Sequence, residues 1–203
     1  ASLYRRACEQ YPSVFDTHRA QLTSDRDAVA RAVGILRDVN LSETSGDVKG
    51  AAYEELIRNT FEKNENQQFF TPRVLVEFMV ELTDPAADMV VCDPACGSGG
   101  FLIAALQHVF SKIERATGDP GSKEALRKCF KTQNLIGAEV DSRMAWVAQM
   151  NLLMHGDGEG RVVCLPGGGS LAYSEAARAA LPDGGVDLIL TNPPFGSDFS
   201  DVA

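Results

Sequence analysis

The chain has 203 residues, of which 44% are hydrophobic and 23% are charged, and its formal net charge is −9. This length and composition are typical of a globular domain with its own hydrophobic core. The negative charge argues against strong binding of a nucleic-acid backbone by this chain alone, because such binding depends mainly on cationic side chains. No apolar run reaches the roughly 18 residues of a membrane span. The first residues, ASLYRRACEQ, also lack a signal peptide's apolar segment. We therefore expect a cytoplasmic protein without membrane contact.

The cysteines do not follow the spacing of a zinc site. They lie at positions 8, 92, 96, 129 and 164, and no two of them form a CxxC pair. This pattern predicts reduced thiols and no bound metal.

Residues 1–64 are predicted to form a short N-terminal helical segment. Residues 24–40 place Val29, Val33, Leu36 and Val39 at helical spacing, and Ser24 or Asp25 can cap the helix. Residues 48–63 predict a second helix, with Ala52, Leu56 and Phe61 near one face. We expect the apolar faces of both helices to be packed.

Residues 65–203 are predicted to form an α/β domain. A helix over 71–83 opens it, with Thr71 as the N-cap and Pro72 at the first helical position. Short apolar runs then predict strands at 89–94, 134–141, 161–166 and 186–193. Between them, residues 101–118, 142–156 and, more weakly, 170–181 predict helices, while 118–124 and 165–170 read as loops. Strand–helix alternation with uniformly apolar strands predicts a parallel sheet covered by helices.

A glycine-rich turn, DPACGSGGF at 93–101, follows the first strand and opens a helix. Gly97 and Gly99 allow the backbone to approach a ligand closely, and the helix start presents unpaired N–H groups. The turn matches neither GxGxxG nor a P-loop. Asp93, at the end of the strand, suits a ligand with a positive group, such as an amino-acid ammonium. An empty tight turn is the alternative.

Two further strand ends carry polar side chains. GAEVD at 137–141 ends the second strand, where an acid in such folds bonds ribose hydroxyls. Glu139 is the predicted residue, with Asp141 behind it, and a solvated acid is the alternative. NPPF at 192–195 ends the fourth strand, which lies beside the first if the strand order reverses there.

The NPPF residues suit the binding of a flat amine such as adenine N6 or an amide. Asn192 offers a side-chain carbonyl, and Pro193 offers a backbone carbonyl held extended by Pro194. Phe195 offers a ring face for stacking. Two acceptors on the amine hydrogens would favour a pyramidal nitrogen with its lone pair aimed at an electrophile. A proline-rich turn without chemistry is the alternative.

DPACGSGGF, GAEVD and NPPF, in that order, resemble the motifs of S-adenosylmethionine-dependent amino-methyltransferases. With the upstream NQQFFTPRVLVEFM at 66–79, they resemble the modification subunit of type I restriction-modification systems, an N6-adenine DNA methyltransferase. The resemblance covers about residues 48–200 and implies a Rossmann-like methyltransferase fold. It also implies S-adenosylmethionine as cofactor, DNA as substrate, and the specificity and restriction subunits of a type I complex as partners.

The resemblance assigns residues one by one. The QxFTPR segment lies against the methionine end of the cofactor in this family, which implicates Gln68, Phe70, Thr71, Pro72 and Arg73. The resemblance also implies that Ser98, Gly99, Gly100 and Glu139 bind the cofactor. The predicted cofactor site further includes Asp93, Pro94, Cys96, Gly97 and Phe101 of the glycine-rich turn. The catalytic loop is Asn192, Pro193, Pro194 and Phe195.

Two departures from the family pattern stand out. Gly169 stands where the family has an acid that contacts the cofactor's adenine, so weaker anchoring is expected. The family's sheet has seven strands, whereas this sequence ends just after the fourth. We therefore expect a fragment truncated after NPPF, which can be inactive by itself. The open alternatives are a protein-glutamine N5-methyltransferase and a noncatalytic assembly subunit with the same fold.

Overall fold

The computed structural model describes residues 2–12, 15, 25–40, 43–44, 46–61, 71–156, 160–165, 175–181 and 184–193. Its helices are α1 Ser2–Gln10, α2 Arg26–Leu36, α3 Gly46–Phe61, α4 Arg73–Thr83, α5 Gly100–Arg115, α6 Pro120–Cys129, α7 Ser142–Met154 and α8 Glu175–Ala180. A π-helical turn, Phe130–Asn134, follows α6. The strands are β1 Val91–Asp93, β2 Leu135–Glu139, β3 Arg161–Cys164 and β4 Leu188–Ile189.

The strands form one parallel sheet in the order β3-β2-β1-β4. This confirms the predicted α/β class. Because β1 lies between β2 and β4, the strand order reverses at β1, and β4 lies beside β1. A crevice opens beside such a reversal at the carboxyl ends of the strands. Cys92 pairs with Ile136 on one side and with Ile189 on the other, so these ends meet at a single edge.

Helix α5 supplies much of the core. Its buried side chains are Phe101, Leu102, Ile103, Ala105, Leu106, Val109 and Ile113. They pack with Val91 and Leu135 of the sheet and with Val76 and Val80 of α4. The amino ends of α4 and α5 are thereby brought close to the sheet edge where the strands end.

The loop predicted at 118–124 is wrong, because α6 begins at Pro120. Asp119 caps this helix, and its carboxylate accepts from the Ser122 N–H at 3.0 Å. Proline occupies the first helical position, where its missing N–H has no cost. The prediction of a loop did not take Asp119 into account as the N-cap of a helix.

The start of α4 also differs from the prediction. The helix begins at Arg73, with Pro72 rather than Thr71 at the N-cap position. Thr71 lies outside the helix, and its hydroxyl accepts a hydrogen bond from Asn192 Nδ2. The other end of α4 is held by Asp84, whose carboxylate binds Lys112 Nζ of α5 at 2.8 Å. That hydrogen bond, with a second from His108, lowers the pKa of Asp84.

The helices expected in the N-terminal segment are present, but their predicted packing faces are wrong. None of the described side chains of α2 is buried, and Val33 is 60% exposed. In α3, Leu56 is exposed, while Ile57 is buried against Met144 and Val147 of α7. The packed face of α3 is therefore rotated by about one residue from the predicted one. The boundary predicted after residue 64 lies outside the described residues and stays a prediction.

The contact between α3 and α7 depends on a glycine. The ring of His155 lies directly against Gly50, and a Cβ added there would come within 2.2 Å of Nε2. The ring is held in place, because Nδ1 donates to the Asn151 carbonyl oxygen at 2.9 Å. Only glycine lets α3 approach this closely.

We expect Gly50→Ala to weaken the docking of α3 by about 1–3 kcal/mol, the usual cost of overpacking a tight contact. Hydrogen exchange of the α3 amides should become faster, and the denaturation midpoint should fall. Gly34→Ala is the matched control, because it is also in a helix and has no atom within 4 Å of an added Cβ. That control should be neutral or slightly stabilising. Equal effects of the two substitutions would show that the His155 contact does not matter.

Candidate active site

The strand ends bring together the residues that the sequence predicted to bind ligand. Asp93 ends β1 and Glu139 ends β2 beside it, while Asn192 follows β4 on the other side of β1. The middle of the glycine-rich turn, residues 94–99, joins Asp93 at the end of β1 to Gly100 at the start of α5. These groups therefore share one edge of the sheet.

Side chains on both sides hold the glycine-rich turn. Gly97 and Gly99 have φ values of +54° and +87°, which L side chains rarely adopt. Asp93 Oδ1 accepts from the Ala95 N–H at 3.1 Å, and Glu139 Oε2 accepts from the Gly97 N–H at 2.9 Å. From α7, Asn151 Nδ2 donates to the Ser98 carbonyl oxygen at 3.1 Å. The shape of the turn is thus set by tertiary contacts as well as by its glycines.

Asp93 is an unusually placed acid, since it is only 2% exposed. Burial raises the pKa of its carboxyl to about 6, and the negative charge of Glu139 adds to the shift. The Thr191 hydroxyl faces the carboxylate and opposes the shift, although its geometry falls short of a full hydrogen bond. A positive group nearby would stabilise the ionised form.

Glu139 is the residue that closes the edge between β2 and the turn. Besides the Gly97 N–H, its carboxylate accepts from the Val140 N–H at 2.8 Å and the Asp141 N–H at 3.0 Å. Each carboxylate oxygen can accept more than one hydrogen bond, so a hydroxyl can still bind there. Asp141 is committed elsewhere, because it caps α7 through the Arg143 and Met144 N–H groups.

The turn is poorly suited to a phosphate. Its Gly97 N–H already faces the Glu139 carboxylate, and its Cys96 N–H donates to the Ala138 carbonyl oxygen at 2.9 Å. A phosphate site needs such N–H groups unpaired and a positive surrounding. Here, two carboxylates lie at the strand ends, so a neutral or cationic ligand fits better.

The end of β4 is tied to the entrance of α4. Asn192 Nδ2 donates to Thr71 Oγ1 at 3.0 Å, across 121 positions of sequence. This bond turns the amide so that Oδ1 can accept from another donor. Pro193 is exposed next to it. Pro194 and Phe195 lie outside the described residues.

A cavity of about 80 Å³ lies between the glycine-rich turn, α3 and the entrance of α4. Its polar lining includes Glu54, Thr71, Arg73, Ser98 and Asn151, and Gly100 of α5 also borders it. Arg73 Nε binds Glu77 Oε1 at 2.7 Å and Nη1 contacts Glu54 Oε2 at 3.4 Å. Because Thr71 touches both the cavity and Asn192, the two predicted parts of the site are contiguous.

The remaining predicted site residues divide into three groups. Pro72 is exposed at the helix entrance, and Pro94 is half-buried in the turn. Cys96 and Phe101 are buried in the core, so only their backbone can face a ligand. Three positions lie outside the described residues: Gln68, Phe70 and Gly169, where the sequence departs from the family pattern.

Sequence reasoning missed Asn151 and Glu54, which both line the cavity. Asn151 had a detectable signal, since it is one of two polar residues, with Gln149, in the otherwise apolar stretch MAWVAQMNLLM of α7. Glu54 had none, because an acid on a helix such as α3 reads as solvent-exposed.

Two kinds of site are not found among the described residues. No helix there combines the length and apolar character needed to cross a bilayer. Within the same ranges, no cluster of at least three His, Cys, Asp or Glu side chains is arranged to hold a metal ion.

The sheet order, the glycine-rich turn and the strand-end acids define an open α/β domain of the kind that binds a nucleoside-containing cofactor. The family model described as "N-6 DNA Methylase" matches residues 44–203. The chain therefore belongs to the N-6 DNA methylase family.

Several of its relatives are methylase subunits of type I restriction enzymes. The type I restriction enzyme EcoEI methylase subunit of Escherichia coli is 30% identical, over 75% of this chain and 28% of the relative. The EcoKI methylase subunit of E. coli K12 is 34% identical over the same shares. A solved chain of a type I R-M system superimposes with a TM-score of 0.61 at 29% identity, covering 81% of this chain and 31% of that chain. The chain thus spans less than a third of the length of these relatives.

The raised pKa of Asp93 gives a prediction with a definite sign. Between about pH 4 and pH 6, the folded state holds a proton that the unfolded state has released, so this residue's contribution to stability falls as pH rises. Asp93→Asn keeps the acceptor for Ala95 and removes the titration. The stability of the variant relative to the parent should therefore rise by about 2 kcal/mol from pH 4.5 to pH 7.5, measured by urea unfolding. A pH-independent difference would contradict the raised pKa.

Proposed function

We propose that this chain forms the cofactor-binding and catalytic part of an N6-adenine DNA methyltransferase that uses S-adenosylmethionine. The enzyme would be the modification subunit of a type I restriction-modification system. The observation that carries the proposal is the bond from Asn192 to Thr71. It holds an amide acceptor for a target amine beside the cavity that the glycine-rich turn borders. Family membership and the relatives' names support the same reaction.

The residues present fit the proposed cofactor. Glu139 would accept from the ribose hydroxyls, and the acids at the strand ends favour a ligand with cationic groups over one with phosphates. Thr71, Pro72 and Arg73, with Gln68 and Phe70 before them, would lie against its methionine end. Gly97, Ser98, Gly99 and Gly100 would let it approach the backbone, and no metal would be required. Pro94, Cys96 and Phe101 would shape the turn through backbone and packing.

When bound, the cofactor supplies an electrophilic methyl group on its sulfonium. Asn192 Oδ1 and the Pro193 carbonyl would accept hydrogen bonds from the two N–H groups of the adenine amine. The nitrogen would then become pyramidal, which frees its lone pair from conjugation with the ring. These two acceptors would therefore hold the amine with its lone pair directed at the methyl group that the cofactor would supply. Pro194 would keep the loop extended, and Phe195 would stack on the flipped base. Orientation and proximity would supply most of the acceleration.

The net charge supports a division of labour among subunits. A chain with a formal charge of −9 provides little attraction for DNA, so the specificity and restriction subunits would supply much of the contact. The complex would act in the cytoplasm.

The rival substrate, a protein glutamine, would present the same amide geometry to Asn192. Parallel assays on an oligonucleotide and a glutamine peptide distinguish the two, and methylation of the peptide alone would refute the proposal.

Cofactor binding should depend on Glu139. We expect Glu139→Ala to weaken binding of S-adenosylhomocysteine by roughly 1.5–3 kcal/mol, the scale of hydrogen bonds to a charged group. Isothermal titration calorimetry measures the affinity of each protein for this ligand. Glu124→Ala is the control, because it removes an exposed acid on α6 and should leave the affinity unchanged. Unchanged affinity in Glu139→Ala would remove Glu139 from the site, and tight binding of NAD or ATP would overturn the cofactor assignment.

Asn192 should matter for chemistry rather than for cofactor binding. In the assembled enzyme, Asn192→Ala should slow methyl transfer to duplex DNA roughly 100-fold or more, because it deletes a preorganised polar group at the reacting centre. Cofactor affinity should stay close to that of the parent. Labelled cofactor measures the transfer, and titration measures the affinity.

Phe195→Ala provides the contrast in the same assay. The loss of a stacking face costs about 1–3 kcal/mol per base, so it should weaken capture of the flipped base as well as slow the reaction. A parent-like rate in Asn192→Ala would mean that NPPF is only a strand-ending turn. A complex that binds DNA and cofactor but methylates nothing would instead favour the noncatalytic alternative.

A further inference from the structure

The Thr71 hydroxyl lies between the cavity and the end of β4. Its Oγ1 accepts from Asn192 Nδ2 at 3.0 Å, and Thr71 is also part of the cavity lining. Among the described residues, this is the one hydrogen bond that the hydroxyl makes. A hydroxyl has one proton and two lone pairs, so it can accept from Asn192 and donate to a second group at the same time.

An asparagine side chain and a hydroxyl can form a hydrogen bond in two directions. In one direction Nδ2 donates to the hydroxyl oxygen, as it does here, and in the other the hydroxyl donates to Oδ1. The two arrangements differ by a half-turn of the amide. The observed direction leaves Oδ1 to accept from a target amine, whereas the reverse direction would present Nδ2 to it. Because two donors do not bond to each other, only the observed direction supports the proposed reaction.

The group that receives the Thr71 proton decides between these directions. A hydroxyl that donates to a group in the cavity can only accept from Asn192, so the amide is then fixed with Oδ1 available. The two acids of the cavity lining are engaged elsewhere, since Glu54 and Glu77 contact Arg73 at 3.4 Å and 2.7 Å. A ligand with an acceptor in the cavity would therefore set the direction of the amide.

The proposed cofactor has one such acceptor at its methionine end. That end carries an ammonium, which only donates, and a carboxylate, which only accepts. The cavity lining includes the Arg73 guanidinium at the start of α4 and Gly100 at the start of α5. A guanidinium and the amino ends of helices favour a carboxylate over an ammonium.

We propose that Thr71 is a positioning residue that fixes the amide direction of Asn192, because its hydroxyl donates to the carboxylate of the bound cofactor. The chain of hydrogen bonds then runs from Asn192 Nδ2 to Thr71 Oγ1, and from the Thr71 hydroxyl to the carboxylate. This inference rests on the proposed function and deepens it. The bound cofactor prepares the acceptor for the target amine, so cofactor binding and recognition of the flipped base are coupled.

The first test measures the contact with the carboxylate. S-adenosylhomocysteine, and its analogue with hydrogen in place of the α-carboxyl group, are titrated into the full chain by calorimetry. The parent should prefer the ligand with the carboxylate. Thr71→Val should reduce this preference about 10-fold, the scale of a hydrogen bond to a charged group. Thr71→Ser keeps the hydroxyl and should recover the preference.

Thr83→Val is the matched control. Thr83 is also on α4, and its hydroxyl donates to the Met79 carbonyl oxygen at 2.8 Å. It is not part of the cavity lining. Its replacement should leave the ligand preference at the parent value. A thermal melt of each variant establishes that it is folded.

The second test measures methyl transfer to duplex DNA by the assembled enzyme at saturating cofactor. Thr71→Val should slow transfer about 10-fold, and Thr71→Ser should recover most of the rate. In the Asn192→Asp background, both terminal atoms of the side chain are oxygens, so no direction remains to be fixed. Adding Thr71→Val to that background should change the rate by no more than about twofold.

The contrary results are distinct. A parent that does not distinguish the two ligands, or equal losses for both in Thr71→Val, would overturn the inference. So would a 10-fold loss from Thr71→Val in the Asn192→Asp background, because a role in amide direction predicts none. If Asn192→Asp transfers no methyl group, Thr71→Ser decides, and a rate as low as that of Thr71→Val overturns the inference. A parent that binds neither ligand, or methylates no DNA, would overturn the proposed function as well.

Discussion

The hydrogen bond from the Gly97 N–H to Glu139 is the contact on which the site depends. It joins the turn after β1 to the end of β2, so the sheet register decides where the turn lies. Asp93 at the end of β1 and Asn151 on α7 also hold this turn, each through a hydrogen bond to its backbone. In the described part, these two are also the buried polar residues. Burial of polar groups is costly unless they are paired, so their concentration here marks a shape that the fold must preserve.

The charge at this edge follows from the same arrangement. An acid that satisfies the turn's N–H group occupies the position that a phosphate would need in a dinucleotide-binding fold. The site thus keeps the backbone geometry of a nucleotide fold while reversing its electrostatic preference. A carboxylate that is buried at the β1 end strengthens this reversal, because the ionised form gains most from a nearby cation.

Helix α3 contributes more than a leading segment would. Ile57 packs on α7, the His155 ring rests against Gly50, and Glu54 faces both the cavity and Arg73. The wall of the cavity is therefore built from three parts of the chain that are distant in sequence.

The sequence determined the local features: the α/β alternation, the strand ends with their acids, the glycine-rich turn and the Asn-Pro end of β4. Each of these follows from short-range periodicity or from residue chemistry. The tertiary structure alone decided which face of α3 is buried, that Thr71 receives Asn192 instead of capping α4, and that Asn151 reaches the turn. These contacts join residues that lie 50 to 120 or so positions apart, and no local pattern encodes such a pairing. They exist because β1, β2 and β4 pair in one register and carry their ends, and the helices packed on them, to a common edge.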